Sequence, residues 1–180
     1  MERIRRTLSN ICDSDIIDGK FTVPEKITRI NDFVFQGQTE LREIDLQNVD
    51  TLGICAFRGC VGLTKVKMPK IKYLGFEIFE LCTSIPRPNS EIRKEIYEYT
   101  LMDLKNEHSL SICLDRAINN AIIKYKQPIS VNTCFPRFER GNAIGKFKGG
   151  FHGWYWWPVR NKKIRKEFLK WCYEDEYSNL

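Results

Sequence analysis

Residues 49–68 read VDTLGICAFRGCVGLTKVKM, and this stretch decides the fold because its apolar residues recur 22 positions earlier and 22 positions later. Four columns of apolar residues keep this spacing over three turns. The columns are Ile30, Leu52 and Leu74; Phe35, Phe57 and Phe79; Leu41, Leu63 and Ile85; and Ile27, Val49 and Ile71. Such a period predicts a solenoid of about three 22-residue turns, in which like residues of successive turns stack into one core.

Within each turn a shorter pattern recurs. Leu41-x-x-Ile44-x-Leu46 returns as Leu63-x-x-Val66-x-Met68, and its alternation of apolar and polar residues predicts one short, half-buried strand per turn. Gly37 and Gly59 then fall where the chain turns, since glycine accepts the positive φ of a tight corner.

The segment from Val49 through Leu52-Gly53, Phe57 and Cys60 to Leu63 resembles the repeat of the BspA-like leucine-rich repeat family, IxxLGxxxFxxCxxL. The resemblance covers residues 21–85, about a third of the chain. It implies a binding scaffold, because relatives in this family are mostly adhesion or interaction surfaces. Cys60 and Cys82 fall in the family's cysteine column, where we expect small buried hydrophobes rather than reactive thiols.

Both ends of so short a solenoid need caps. Ile4, Leu8 and Ile11 have helical spacing, so residues 1–20 are predicted to hold an N-terminal capping helix. Pro86 and Pro88 interrupt the repeat and place a linker at residues 86–89. Residues 90–180 are then a basic, Trp-rich, mostly helical C-terminal domain, and the fold class is α+β.

Two long helices are predicted at the start of this second half. Residues 90–105 form the first, with Ile92, Ile96, Tyr99 and Met102 in line. Residues 109–124 form the second, which has a broad apolar stripe and is therefore expected to be buried. The stripe comprises Leu110, Cys113, Leu114, Ala117, Ile118, Ala121 and Ile122.

The remainder predicts smaller elements. Residues 147–157 carry Gly149-Gly150 between aromatic flanks and predict a β-hairpin. Asn161 is expected to cap a last helix. Motifs scattered over residues 109–172 resemble a domain that recurs in small, uncharacterised tailed-phage proteins, which points to a viral origin. They are Cys113-x-x-x-Ala117-Ile118, Cys134-Phe135-Pro136-x-Phe138, Tyr155-Trp156-Trp157-Pro158 and Arg165-x-x-Phe168-Leu169.

Composition indicates an ordinary globular protein with 42% hydrophobic and 29% charged residues. Neither a membrane span nor a signal peptide is visible, so we expect a cytoplasmic protein, in the host cell if it is viral. The seven cysteines form no CxxC pair and are expected to be reduced and mostly buried.

Enzymatic signatures are missing. The two histidines, His108 and His152, sit in no recognisable nucleophilic motif, and no HExxH or paired CxxC offers zinc ligands. Residues 141–147 fall one residue short of a phosphate-binding loop and lack its Ser or Thr. We therefore predict no catalytic residue, no metal and no cofactor.

Electrostatics supply the candidate site. Residues 137–170 hold ten basic and two acidic residues, a net charge of +8, beside three of the four tryptophans. We call this stretch the basic tryptophan segment. Cations at the start of a helix are unfavourable unless an anion offsets them, so a bound anion is one interpretation. The predicted ligand-binding residues are Arg137, Arg140, Trp154, Trp156, Trp157, Arg160, Lys162, Lys163, Arg165 and Lys166.

A structural interpretation of the same residues stays open. The tryptophans would form the core of a small domain and the lysines a solvated face, and the acidic residues 174–176 would neutralise the patch.

Three functions follow, in order of preference. The first is a non-enzymatic interaction protein, phage-encoded, that engages a host defence or regulatory protein through the repeats and the basic domain. The second is a binder that sequesters an anionic, nucleotide-like signal by stacking on indole and pairing with Arg or Lys. Nucleic-acid binding is third. An uncapped solenoid end would also allow a homodimer.

Overall fold

A computed structural model describes residues 6–106 and 110–134. Strands occupy the first part of the chain, and helices follow. The strands are β1 (Arg6–Leu8), β2 (Lys20–Thr22), β3 (Ile27–Ile30), β4 (Glu43–Asp45), β5 (Thr51–Leu52), β6 (Lys65–Lys67) and β7 (Tyr73–Leu74). The helices are α1 (Ser90–Asp103), α2 (Leu110–Tyr125) and the single turn α3 (Val131–Cys134), and a 3-10 turn covers Asp13–Asp15. This order confirms the predicted α+β class, a solenoid followed by helices.

Two parallel sheets run along the solenoid, one on each side. One has the order β1-β3-β5-β7 and the other the order β2-β4-β6. Partners are 22 residues apart in the pairs Ile30 with Leu52 and Ile44 with Val66, whereas β2 pairs with β4 at a spacing of 23, as in Phe21 with Ile44. The prediction of one strand per turn is therefore wrong. In the later turns the second strand, β5 or β7, has only two residues, which is too short to show an alternating pattern.

The predicted columns form the core. Phe35 stacks on Phe57 with ring centroids 4.9 Å apart, and Phe57 stacks on Phe79 at 5.5 Å. Phe21 closes the row with an edge-on contact to Phe35 at 5.0 Å. Since all four rings are buried, each turn contributes one ring to a core that no turn could bury alone.

Each turn has a corner at which the backbone takes the left-handed conformation. Gly37 and Gly59 have φ of +74° and +73°, as the sequence predicts. The next position in this column is Leu81, with φ of +59°, where a side chain makes the left-handed conformation costly. The last turn thus keeps the shape of the inner ones without their glycine.

The N-terminal segment corrects one prediction. The helix expected in residues 1–20 is wrong for the described part, because residues 6–8 form β1 and pair in parallel with β3. Leu8 lies opposite Ile30, 22 residues earlier, so it extends the Ile30 column by one turn. The helical spacing of residues 4, 8 and 11 was outweighed by this pairing with the neighbouring turn.

The two long helices follow the last turn closely. Pro88 falls in phase with Val66 of β6 and lacks an amide hydrogen, so the ladder ends there. Asn89 caps α1, its Oδ1 accepting from the Ile92 amide at 2.9 Å. The predicted stripe of α2 is confirmed, since all seven of its residues are buried.

For α1 the inward face is partly different from the prediction. Ile92 and Ile96 are buried as expected, but Tyr99 and Met102 are exposed. Thr100 takes the buried place one turn after Ile96, and its hydroxyl donates to the Ile96 carbonyl at 2.7 Å. This local hydrogen bond lets a polar residue occupy the apolar face.

The hairpin predicted for residues 147–157 and the helix predicted after Asn161 lie outside the described residues. Over residues 6–106 and 110–134 no helix combines the length and the apolar character that crossing a membrane requires. The boundaries predicted for the linker and the C-terminal domain stay predictions.

Candidate functional site

The ten predicted ligand-binding residues, from Arg137 to Lys166, all lie outside the described residues, as do both histidines and the loop at 141–147. Their role stays a prediction. The described residues offer two other surface features, an apolar row along the solenoid and an acidic cavity at its helical end.

The cysteine column is structural. Cys60 and Cys82 are fully buried, and their thiols donate to the carbonyls of Phe35 and Phe57 at 2.9 and 3.0 Å. A hydrogen bond with the Cys60 side chain, together with burial, raises the pKa of Cys82. A thiol held in this way is a poor nucleophile, which agrees with the prediction of a small buried hydrophobe. Cys55, Cys113 and Cys134 are also free and buried.

An acidic cluster lies at the outer corner of the last turn. Glu80 is only 6% exposed, and its Oε2 lies 2.6 Å from the Arg58 Nε. The Glu77 carboxylate lies 3.9 Å from the same nitrogen. Both glutamates belong to the turn that meets the helices, so the cluster marks the helical end of the solenoid.

Side chains of α2 and α3 replace the next turn at this end. In the inner turns the Cys55 and Gly59 amides donate to the carbonyls of Phe76 and Glu80, at 2.9 and 2.8 Å. The amides one turn later have no such neighbour and donate to side chains instead. Glu77 N donates to Asp115 Oδ1 at 2.9 Å, and Leu81 N donates to Asn132 Oδ1 at 2.7 Å.

Asn119 completes this cap on the carbonyl side. Its Nδ2 donates to the Gly75 carbonyl at 2.9 Å and lies 3.4 Å from Asp115 Oδ2. Asp115, Asn119 and Asn132 were missed by sequence reasoning. Only the i, i+4 spacing of Asp115 and Asn119 beside the apolar stripe could have hinted at them.

A cavity of about 410 Å³ lies between the last turn and α2. Phe76 and Ile78 line it from the solenoid, and Ile112, Ile118 and Ile122 line it from α2. Glu77, Glu80 and Asp115 also face it, so the cavity is apolar with an acidic side. We call it the acidic cavity.

The surroundings of the cavity change the pKa of Asp115. Burial, reinforced by the negative charges of Glu77 and Glu80, raises the pKa of Asp115 to about 6, although the Glu77 amide opposes the rise. Burial is the larger cause of this shift, and the two neighbouring carboxylates add to it. A cation brought to the cavity would relieve it.

The apolar row consists of Phe33, Ile54 and Phe76. These large apolar residues are 53%, 40% and 48% exposed, and they fall on three consecutive turns. Their turns are adjacent, since Phe33 N donates to the Ile54 carbonyl and Cys55 N, next to Ile54, donates to the Phe76 carbonyl, both at 2.9 Å. Ile54 and Phe76 are in phase in the 22-residue period, and Phe33 lies one residue out of phase with them. The row ends at the mouth of the acidic cavity, which Phe76 lines.

Metal chemistry finds no support in the described part of the chain. Among those residues no group of three or more His, Cys, Asp or Glu side chains is arranged to hold a metal ion.

Parallel sheets of short strands, a 22-residue period and a stacked core together define a leucine-rich-repeat solenoid. A narrower family can be assigned from similar proteins. The model of the BspA type leucine rich repeat region matches residues 14–124 in six copies, and the chain belongs to this family. The match extends past the turns into α1 and α2, and no catalytic family is indicated.

The chain is similar to one solved structure, a leucine-rich repeat protein from Bacteroides ovatus ATCC 8483, with 27% sequence identity and a TM-score of 0.31. The similarity covers 38% of this chain and 24% of that protein, so the chain matches about a quarter of its length. No curated protein matches the chain. Leucine-rich repeats generally mediate protein–protein interactions, and the repeat fold suggests that role here.

Proposed function

We propose that this protein is a non-enzymatic interaction protein that binds another protein through its apolar row. The observation that carries the proposal is the exposure of Phe33, Ile54 and Phe76 on three consecutive turns that are joined by backbone hydrogen bonds. Aromatic residues are enriched at protein interfaces and are often the anchors that contribute most of the binding energy. Contiguous exposed apolar surface of this kind is typical of interaction sites.

The scaffold beneath the row supports this function. Backbone hydrogen bonds between turns hold the three residues, and Ile54 N also donates to Asp32 Oδ1 at 2.8 Å. A backbone held in this way loses little further freedom when a partner binds, which favours affinity.

The test is affinity capture with paired variants. Phe33→Ser combined with Ile54→Ser removes two thirds of the row, whereas Tyr73→Ser changes an exposed aromatic residue of β7 outside it. We expect a saturable protein partner that binds the wild type and Tyr73→Ser and is lost from the double variant. Absence of any saturable partner, or full retention by the double variant, would contradict the proposal.

A host defence or regulatory protein is the finer form of the target that we propose. It rests on the phage-like motifs of residues 109–172 and on the basic tryptophan segment. The prediction of a sequestered nucleotide-like signal rests on that same segment. Mass spectrometry of the solution released on denaturing the purified protein distinguishes the two, since a blank without thermal stabilisation by nucleotides rejects the small ligand.

A further inference from the structure

The acidic cavity lies where the described chain ends. Ile129 and Val131 line it, and α3 ends three residues later at Cys134. The chain continues from there with residues 135–180. The next part of the protein therefore starts beside the cavity.

The acidic cavity and the chain that follows it carry opposite charges. Three acidic residues, Glu77, Glu80 and Asp115, line the cavity, and Arg58 pairs with Glu77 and Glu80. The basic tryptophan segment, residues 137–170, carries a net charge of +8. Opposite potentials of this kind attract and fix the register of contacting surfaces.

The apolar lining suits the same segment. A cavity of about 410 Å³ falls in the range of roughly 300–1,000 Å³ typical of sites that enclose a ligand group. Trp154, Trp156 and Trp157 are bulky apolar side chains flanked by cations. An indole held among Phe76, Ile112 and Ile122 would bury the ring while Lys or Arg approach the acidic side.

We propose that the acidic cavity is the docking site of the chain's own basic tryptophan segment. Trp154 follows Cys134 by 20 residues, which span up to roughly 66–72 Å when extended, so the tether allows the contact. Tethering also makes the docking intramolecular, which favours it over binding of a separate partner at the same cavity. The inference goes beyond the proposed function, which concerns a partner protein on the apolar row.

Intrinsic fluorescence provides a direct probe. All four tryptophans, Trp154, Trp156, Trp157 and Trp171, lie in residues 135–180, so emission from the full chain reports on that region alone. In the wild type we expect blue-shifted emission that is weakly quenched by acrylamide.

Two cavity variants test the docking, each with a matched control. Ile112→Lys places a cation in the half-buried lining, and Tyr73→Lys makes the same change at an exposed apolar residue outside the cavity. Glu77→Gln removes one cavity charge, and Glu40→Gln removes one exposed charge elsewhere. We expect a red shift and stronger quenching in both cavity variants, larger for Ile112→Lys, and wild-type spectra in both controls.

Circular dichroism checks that the solenoid stays folded, and Glu77→Gln is mild enough to keep the comparison if Ile112→Lys unfolds. Added salt should cause the same red shift in the wild type, because it screens the opposite charges. Three results would overturn the proposal. They are emission typical of solvent-exposed tryptophans in the wild type, emission typical of buried tryptophans that neither cavity variant changes, and equal spectral shifts in cavity variants and controls. None of these depends on whether a partner protein binds the apolar row.

Discussion

Backbone amides need hydrogen-bond acceptors both in the inner turns of the solenoid and at its helical end, and different groups supply them. Between inner turns the amide of Gly59 donates to the backbone carbonyl of Glu80. At the last turn, the amide of Leu81 donates to the side chain of Asn132, 51 residues further along the chain. The backbone acceptors of the inner turns recur in every turn and do not depend on the side chains present. The cap at the helical end depends on single side chains, so it is specific and easily broken.

The largest expected effect concerns the inner turns. Phe57 stacks between Phe35 and Phe79 and is fully buried. We expect Phe57→Ala to lower the free energy of unfolding by about 3–5 kcal/mol. The exposed Phe33 is its control, where Phe33→Ala should change stability by less than about 0.5 kcal/mol. Urea unfolding followed by circular dichroism measures both, and similar losses would show that the stack is not the core.

At the helical end, pH should affect stability through Asp115. Its pKa rises from 3.8 to about 6 on folding, so between these values the folded protein keeps a proton that the unfolded chain has lost. Stability should therefore fall as pH rises from about 4 to 6, by up to about 3 kcal/mol for this group. Unfolding curves across that range measure the effect. Asp115→Asn keeps an acceptor for the Glu77 amide without the charge, and it should remove this component; an unchanged pH profile would count against it.

Breaking the cap at its other side chain should cost less. Asn132→Ala leaves the part-buried Leu81 amide without its acceptor, and an unsatisfied donor of this kind costs up to about 2 kcal/mol. Asn132→Asp keeps the acceptor and should recover most of the loss. Thermal unfolding of the pair measures the difference, and equal loss in both variants would mean that the amide contact is unimportant.

The smallest effect should be a gain. Leu81 holds the left-handed conformation that glycine holds at positions 37 and 59. Leu81→Gly removes a penalty of roughly 1–2 kcal/mol but increases the freedom of the unfolded chain, so we expect stabilisation of up to about 1 kcal/mol. Gly59→Ala should be destabilising by a comparable amount. A lower melting temperature for Leu81→Gly would show that the contacts of the exposed Leu81 side chain matter more than its backbone conformation.

This contrast also explains how far the sequence could be interpreted. The 22-residue period identified the Phe57 stack and the cysteine column, and helical spacing identified the buried stripe of α2, because repetition makes a pattern visible. The first turn was missed, although Leu8 stands in phase with Ile30, because only one of its columns is complete. Asp115 and Asn132 could not be predicted, since their partners are 38 and 51 residues away and no spacing rule links them. The acidic cavity depends on the same long-range packing.

Amide hydrogen exchange measured by NMR tests the helical cap most directly. If the side chains of α2 and α3 replace the missing turn, the Glu77 and Leu81 amides should be protected nearly as well as those of Cys55 and Gly59. Asn132→Ala should then speed exchange at Leu81 and leave Gly59 protected. Exchange of Leu81 at the rate of an unstructured chain in the wild type would contradict the cap.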